Sequence, residues 1–353
     1  MIYIGIIGVF VVAFVVAFLL TPSVKKLAIK LKAIDIPNEK RRVHDHPIPR
    51  LGGLAIVIGF TVATLIFAIL AYGTDNNILD KQLIGLFLGI IIIEIVGIFD
   101  DIYQLRAWHK LLFQILAASV VVLFGIRIEG FSNPVVENGY IGLGIFSIPI
   151  TMIWIIGITN AINFIDGLDG LAAGVASISS LSLLFISIFL GNIETVVLTA
   201  ALAGATLGFL PFNFNPAKIF MGDTGSTFLG FTLGTIAIMG MIKSYTVIAV
   251  IAPLVVLGLP ILDTAFAIIR RILKGQSPMC ADRGHLHHRL VDAGLTQKQT
   301  VLILYAISAS LGIIGFMLVQ SGILKIILLI VAIAIFAFAG KSFLSDINHS
   351  KED

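Results

Sequence analysis

Long apolar segments follow one another along almost the whole chain, and short polar stretches separate them. The hydrocarbon core of a bilayer is about 30 Å thick, so a helix needs about 20 apolar residues to cross it. Measured against that length, the sequence predicts about eleven membrane-spanning helices. They cover approximately residues 3–20, 51–72, 82–99, 109–126, 144–162, 171–190, 195–212, 225–241, 246–269, 300–319 and 323–340. We therefore expect an all-α, polytopic membrane helix bundle.

The composition excludes an ordinary soluble protein, because 58% of the residues are hydrophobic and only 12% are charged. A soluble domain carries about 25% charged residues. The segment Ile2–Leu20 lacks a basic start and a small-residue cleavage site, so we expect it to be the first span and not a removed signal. Pro149 is expected to interrupt the span at 144–162. The polar stretches are too short for a second core, which predicts a single membrane domain over 1–353.

Basic residues favour the cytoplasmic side of a membrane protein. If the N-terminus lies outside, all Lys and Arg residues except Lys81, Arg127, Lys243 and Lys325 fall in stretches on the inner side. This bias predicts an external N-terminus and a cytoplasmic C-terminus. On the same topology the acid-rich motifs at Asp100, at Asn160–Asp169 and at Asp223 all face the cytoplasm.

The adjacent pair Asp100 and Asp101 ends the third span. Two neighbouring carboxylates beside an apolar helix repel each other unless a cation balances them. Lys110 follows at the start of the fourth span and could reach a phosphate near the pair, although snorkelling to lipid headgroups would also explain it. The alternative, solvated acids at helix ends, predicts them on both faces, whereas Asp75 and Asp80 are the only aspartates on the outer side of this topology. We therefore favour a shared cytoplasmic site.

The segment from Asn160 to Gly170 repeats a polar residue every three positions, with Asn160, Asn163, Asp166 and Asp169. If it is helical, these side chains line one face. Carboxylate and amide oxygens are suited to Mg²⁺, which keeps part of its water shell and bridges to phosphates. Capping of the sixth span by Asp166 or Asp169 is the simpler alternative, but it explains one acid and not the strip.

Two further motifs lie on the same side. Asp223 follows Phe220-Met-Gly and could either bind a cation or cap the eighth span. The loop after the ninth span contains His285, His287 and His288 together with Arg283. Zinc and a plain basic loop at the membrane surface are the alternatives there, but a cationic pocket for phosphate fits Arg283 and Arg289 better.

Four motifs together resemble one known family, the polyprenyl-phosphate N-acetylhexosamine-1-phosphate transferases. The motifs are Asp-Asp at 100–101, Asn-x-x-Asn-x-x-Asp-Gly-x-Asp-Gly at 160–170, Phe-Met-Gly-Asp at 220–223 and His-Leu-His-His at 285–288. The resemblance implies transfer of a sugar 1-phosphate from a UDP-N-acetylhexosamine to undecaprenyl phosphate, with release of UMP. It also implies a Mg²⁺ cofactor, with Mn²⁺ as a substitute, and no nucleic-acid partner.

Two departures distinguish branches of that family. Pro-Ile-Pro-Arg-Leu-Gly-Gly at 47–53 and Arg289 after the histidines both resemble the branch that uses UDP-GlcNAc. The resemblance therefore implies a plasma-membrane (inner-membrane) enzyme with a cytoplasmic site, acting in teichoic acid or O-antigen type synthesis, with a homodimer as one expected assembly. The alternative is the branch that uses UDP-N-acetylmuramoyl-pentapeptide for peptidoglycan.

By motif position, Asp223 resembles the magnesium ligand, and Asp100 a second ligand or an activator of the lipid phosphate. Asp101 resembles a base that acts on the acceptor phosphate, while Asp166 and His287 are the other expected catalytic residues. The expected substrate-binding residues are Lys110, Asn163, Asp169, Phe220, Arg283, His285 and His288. Among these, Phe220 resembles a ring that stacks on uracil.

The mechanism stays open between direct attack by the lipid phosphate and a covalent phospho-sugar aspartate. We favour direct attack, because the lipid phosphate is already an anionic nucleophile. A secondary transporter is the main competing class, but transporters place charged sites near the bilayer midplane, and these acids lie at span ends. A scaffold protein would not need the aspartate pair.

Overall fold

The computed structural model describes residues 2–36, 47–71, 73–74, 78, 80–133, 139–242, 247–276 and 284–319. Helices dominate these ranges. In chain order they are α1 (Ile2–Lys30), α2 (Gly53–Leu70), α3 (Lys81–Tyr103), α4 (Ala107–Leu123), α5 (Ser147–Ile165), α6 (Leu171–Phe189), α7 (Ile193–Asn213), α8 (Gly222–Ile242), α9 (Val247–Val256), α10 (Gly258–Leu273), α11 (Leu286–Asp292) and α12 (Gln297–Val319).

Two short antiparallel pairs of strands join some of these helices. β1 (Ile34–Asp35) pairs with β2 (Ile48–Pro49), so that Ile34 lies opposite Pro49. β3 (Gly130–Asn133) pairs with β4 (Gly139–Gly142). The first pair leads directly into α2 and places Arg50 beside the helix ends described below.

Seven of the described helical segments are long and apolar enough to cross a membrane: Ile4–Lys30, Gly53–Leu70, Lys81–Tyr103, Gly144–Ile165, Leu171–Phe189, Ile193–Asn213 and Gln297–Val319. The protein is therefore an all-α membrane protein, as expected. The other predicted spans up to residue 269 coincide with α4, α8, and α9 plus α10. The predicted span at 323–340 lies outside the described residues.

Two details of the predicted spans were wrong. Pro149 does not interrupt its span, because α5 begins at Ser147 and Pro149 therefore lies in the first turn, where no backbone N–H is needed. The span at 246–269 is not one helix but two, with a break at Leu257. Pro260, which has no N–H, cannot donate to the carbonyl of Val256 across that break.

Helix α8 lies in the middle of the bundle, where it packs against α2, α3 and α5, and it is buried along most of the length for which exposure is described. Large apolar side chains such as Ile4, Ile69 and Ile153 point outward on the peripheral helices, as expected where lipid is the solvent. Many buried hydroxyls donate to a carbonyl one turn earlier; Thr235, for example, donates to Phe231 O at 2.8 Å. At these positions helices pack closely with the hydroxyl satisfied, whereas the Thr64, Ser179 and Thr232 hydroxyls are buried without a partner among the described residues.

Small residues set the distance between α8 and α5. A Cβ added at Gly230 would lie 2.6 Å from the Cα of Thr159 and 2.8 Å from the carbonyl of Ile158. Both are backbone atoms, which cannot move aside as a flexible side chain would. Glycine at this position therefore permits the close approach of the two helices.

We expect Gly230→Ala to destabilise the folded protein by about 1–3 kcal/mol, because α5 and α8 must separate to admit the methyl group. The measurement is thermal unfolding in detergent. The matched control is Gly157→Ala in α5, where an added Cβ meets nothing within 4 Å. An unchanged Tm for Gly230→Ala would contradict this packing.

Candidate active site

A cavity of about 350 Å³ opens where the ends of α5, α7, α8 and α12 meet the β1–β2 pair. Acidic and amide side chains dominate its wall. The lining residues are Asp35, Arg50, Asn163, Asp166, Gly167, Leu168, Asp169, Asn213, Phe220, Gly222, Asp223, His288 and Gln297. Six of the residues expected from the sequence therefore share one cavity, although they come from three separate stretches of chain.

Asp100 and Asp101 are both buried at the end of α3, but their carboxylates face different partners. Successive residues on a helix point about 100° apart, so neighbours do not face each other. Asp100 accepts a bond from Lys110 Nζ at 3.3 Å and one from the Leu105 N–H at 2.7 Å. Asp101 lies 3.4 Å from Arg50 Nε. The two acids of the pair thus face different cations, which reduces the repulsion expected between them.

Asp223 lies in the first turn of α8 and completes the acidic group. Its Oδ2 is 2.5 Å from Lys110 Nζ, so the ammonium group bridges Asp223 and Asp100. Within the described ranges, the carboxylates of Asp100, Asp101 and Asp223 form a cluster whose oxygens lie within 4.8 Å of one another. Hard oxygen donors at this spacing fit a small divalent cation.

The strip from Asn160 to Asp169 separates at the end of α5. Asn160 is turned toward α4, where it donates to Gln114 at 2.7 Å. Asn163 lines the cavity, and its Nδ2 donates to Ser226 Oγ at 2.8 Å. The expectation of one continuous helical face was wrong for Asp166 and Asp169, because α5 ends at Ile165.

The aspartates beyond α5 do not cap the next helix. Gly170 occupies the N-cap position of α6 in a left-handed conformation, with no side-chain cap. Asp169 instead accepts bonds from Asn215 Nδ2 at 3.1 Å and from the Ala217 N–H at 2.9 Å. Asp169 therefore ties the α5–α6 turn to the loop that carries Phe220.

Burial, followed by the nearby charge of Asp223, raises the pKa of Asp166 to about 8. Although burial opposes the charge of Arg50, Asp101 and the other carboxylates around it raise the pKa of that guanidinium. The ring of acids thus holds more negative charge than its own cations balance, which is the electrostatic condition for attracting a further cation.

The three histidines occupy three different environments. His285 Nδ1 lies 2.8 Å from Asp263 Oδ2, and the Leu286 N–H donates to the other oxygen of Asp263 at 2.7 Å. His287 is 2% exposed and packs against Gly167, where a Cβ would overlap its ring. Only His288 among the three lines the cavity. Arg283 lies outside the described residues.

Several cavity residues were not anticipated. Arg50 belongs to the Pro-Arg-Leu-Gly-Gly motif, which could have identified it, and it lies 3.9 Å from Asp35 as well as near Asp101. Asn213 donates to the Ile219 carbonyl at 3.1 Å, and its Oδ1 is buried with no partner among the described residues. Gln297 accepts a 2.6 Å bond from Asn215. No sequence pattern marks the last two.

Carboxylates, two cations and amides at the ends of membrane helices are a set of side chains typical of a membrane enzyme, and they could hold a metal ion and an anionic substrate. A model of glycosyl transferase family 4 matches residues 83–241. The chain is 40% identical over 333 residues to a probable undecaprenyl-phosphate N-acetylglucosaminyl 1-phosphate transferase of Bacillus subtilis, covering 94% of this chain and 90% of that protein.

A decaprenyl-phosphate N-acetylglucosaminephosphotransferase of Mycolicibacterium smegmatis is 36% identical over 324 residues, which cover 86% of this chain and 79% of the relative. A phospho-N-acetylmuramoyl-pentapeptide-transferase of Clostridium beijerinckii is 32% identical over 275 residues, which cover 76% and 81%. The chain belongs to glycosyl transferase family 4, within which it is a glycosyl-1-phosphate transferase. The family expected from the four motifs is thereby confirmed.

The environment of His287 makes a pH-dependent prediction. Burial, followed by the charge of His288, lowers the pKa of His287 to about 3. The unfolded chain takes up a proton on this ring below about pH 6.5, whereas the folded chain does not until about pH 3. The contribution of His287 to the free energy of unfolding is therefore fully present above pH 6.5. Below pH 6.5 it declines by up to about 1.4 kcal/mol per pH unit.

We expect His287→Gln to make the fall of Tm between pH 6.5 and 4.5 shallower than in the unmodified protein, because glutamine does not titrate. Thermal unfolding across this range measures the slope. His349→Gln, in the polar C-terminal stretch of the sequence, is the control and should keep the original slope. Identical slopes for all three proteins would show that His287 is not held neutral by burial.

Proposed function

We propose that this protein transfers N-acetylglucosamine 1-phosphate from UDP-GlcNAc to undecaprenyl phosphate and releases UMP. The reaction depends on Mg²⁺ and takes place at the cytoplasmic face of the plasma membrane. The observation that carries the proposal is the group formed by Asp100, Asp223 and Lys110 at the ends of apolar helices. A site of this kind joins a water-soluble phosphate donor to an acceptor that stays in the lipid.

The metal assignment is supported by the donor set. Asp223 and Asp100 would hold Mg²⁺, since both carry an oxygen that faces Lys110 and not a backbone donor. Mg²⁺ commonly takes one or two carboxylates, with water and phosphate oxygens completing its shell. When bound, the ion supplies neutralisation of the pyrophosphate charge. Mn²⁺ has similar ligand preferences and is expected to substitute.

The nucleotide end of the donor is assigned to the wall that contains Phe220 and Asn213. The ring of Phe220 offers an aromatic surface, and the buried Oδ1 of Asn213 offers an acceptor for an N–H of the base. Asn163, Asp169 and His288 line the same cavity and would contact the ribose, the sugar or the phosphates. Arg283 and His285 would also bind the substrate.

We favour direct transfer. An oxygen of the lipid phosphate attacks the β-phosphorus of the donor, the bond from that phosphorus to the bridging oxygen breaks, and UMP leaves with the electron pair. Lys110, which contacts Asp100, would hold phosphate oxygens, and Arg50 would keep the opposite side of the cluster cationic. Such a reaction needs positioning and charge neutralisation more than it needs a covalent intermediate.

The relatives named for N-acetylglucosamine transfer are 40% and 36% identical to this chain, against 32% for the muramoyl-pentapeptide relative. This order and Arg50-Leu-Gly-Gly support UDP-GlcNAc as the donor. The muramoyl-pentapeptide donor is the alternative, supported by the shared aspartate motifs.

The assay uses purified protein, Mg²⁺, undecaprenyl phosphate and either donor, with UMP release as the readout. We expect turnover with UDP-GlcNAc, and Asp223→Asn to reduce kcat by about 10²–10³-fold because charge stabilisation is lost at the reacting phosphates. Asp80→Asn is the matched control, since Asp80 caps the far end of α3 and asparagine caps equally well. Turnover only with the pentapeptide donor would reassign the branch.

A second test concerns the orientation of the protein in the membrane. In the proposed topology of about eleven spans, with an external N-terminus, the site would face the cytoplasm. Cys280 is the one cysteine of the sequence and lies in the proposed cytoplasmic loop with the histidines. An impermeant maleimide should label it in inverted vesicles and not in intact cells. Asp75→Cys in a Cys280→Ser background should show the reverse pattern. Labelling of Cys280 in intact cells would contradict the orientation.

A further inference from the structure

The first turn of α8 is capped by a side chain from another helix. The first N–H groups of a helix have no partner within that helix and need acceptors from elsewhere. Asp101 of α3 provides them, with Oδ1 accepting from the Asp223 N–H at 2.9 Å and Oδ2 accepting from the Thr224 N–H at 3.1 Å. The Thr224 hydroxyl adds a 2.6 Å bond to the same Oδ2. A carboxylate also complements the positive end of the helix dipole.

The remaining face of this carboxylate meets Arg50, whose Nε lies 3.4 Å from Oδ1. A carboxylate has about four acceptor positions, so three hydrogen bonds and this ion pair occupy the group. The side chain of Asp101 has no exposed surface. Asp100 has different partners. Its Oδ2 contacts the Lys110 ammonium, which also contacts the metal candidate Asp223.

The backbone around these groups is equally constrained. The Gly52 N–H donates to the Phe220 carbonyl and the Gly53 N–H to the Met221 carbonyl, both at 2.9 Å. A Cβ at Gly222 would overlap the Asp101 carboxylate itself. The start of α2, the end of α3 and the start of α8 therefore meet without space for adjustment.

We propose that Asp101 is a positioning residue that acts through α8: it fixes the first turn of that helix and thereby the direction of the Asp223 carboxylate. It neither binds the metal nor accepts a proton from the lipid phosphate. Arg50 holds the Asp101 carboxylate in place. The activity readout of this proposal rests on the proposed function, whereas the metal-binding readout below does not.

The experiment compares Asp101→Asn, Asp101→Ala and Thr224→Val in the purified full-length protein. Mn²⁺ affinity is measured by electron paramagnetic resonance, Tm by thermal unfolding, and kcat by UMP release. Asparagine keeps an oxygen for the Asp223 N–H, and the Thr224 hydroxyl can turn to accept from its amide nitrogen. We therefore expect Asp101→Asn to bind one Mn²⁺ with affinity within about tenfold of the unmodified protein, as for loss of a single capping bond.

Asp101→Ala removes the whole cap, so we expect weaker Mn²⁺ binding and lower kcat than for asparagine. If the alanine variant does not fold, Thr224→Val carries the test. It removes one bond to Asp101 and leaves every carboxylate in place, and we expect it to lower kcat by about three- to tenfold. The double variant Asp101→Asn with Thr224→Val should be no worse than the poorer single variant, because both act through one contact.

Two results would overturn the proposal. The first is loss of Mn²⁺ binding in Asp101→Asn at an unchanged Tm, which would make Asp101 a ligand. The second is a Thr224→Val variant equal to the unmodified protein in kcat and in Mn²⁺ affinity. If the unmodified protein releases no UMP with either donor, the proposed function fails, while the Mn²⁺ comparison still decides the role of Asp101.

Discussion

The site depends on the contacts that the first turn of α8 makes with its neighbours. Its N–H groups donate to the Asp101 carboxylate, and the side chain of Asp223 contacts Lys110. The carbonyl groups just before the turn accept hydrogen bonds from the N–H groups of Gly52 and Gly53. In a protein surrounded by lipid, an irregular backbone is tolerated only where protein or water satisfies its polar groups. The junction between α7 and α8 is such a place, and the site is built around it.

Charge balance explains how so many acids can lie near apolar helices. Asp100 and Asp101 would repel each other if they shared one environment, but the helix turns them toward Lys110 and Arg50 separately. Burial, followed by the charge of Asp223, raises the pKa of Asp166, and Asp223 itself lies beside a single ammonium. A divalent cation and an anionic substrate would complete this balance together, which is the arrangement that phosphoryl transfer requires.

Most of the helices could be predicted from the sequence, because the length of an apolar segment is set by the bilayer and needs no knowledge of neighbours. Both wrong details of the predicted spans concern proline residues. Pro149 is harmless because it lies in a first turn, and the span at 246–269 divides at Leu257 near Pro260. Position within a helix decides the effect of proline, and helix boundaries are the least certain part of a sequence-based prediction.

The sequence by itself determined that the chain spans a membrane, that its acids lie at helix ends, and which family its motifs resemble. Each of these follows from local composition or from order along the chain. Only the tertiary structure decided that Asp101 faces α8 while Asp100 faces Lys110, that His288 and not His287 lines the cavity, and that Asn213 and Gln297 belong to its wall. The physical reason is that the direction of a side chain depends on partners distant in sequence; Asp101 and Asp223 are 122 residues apart.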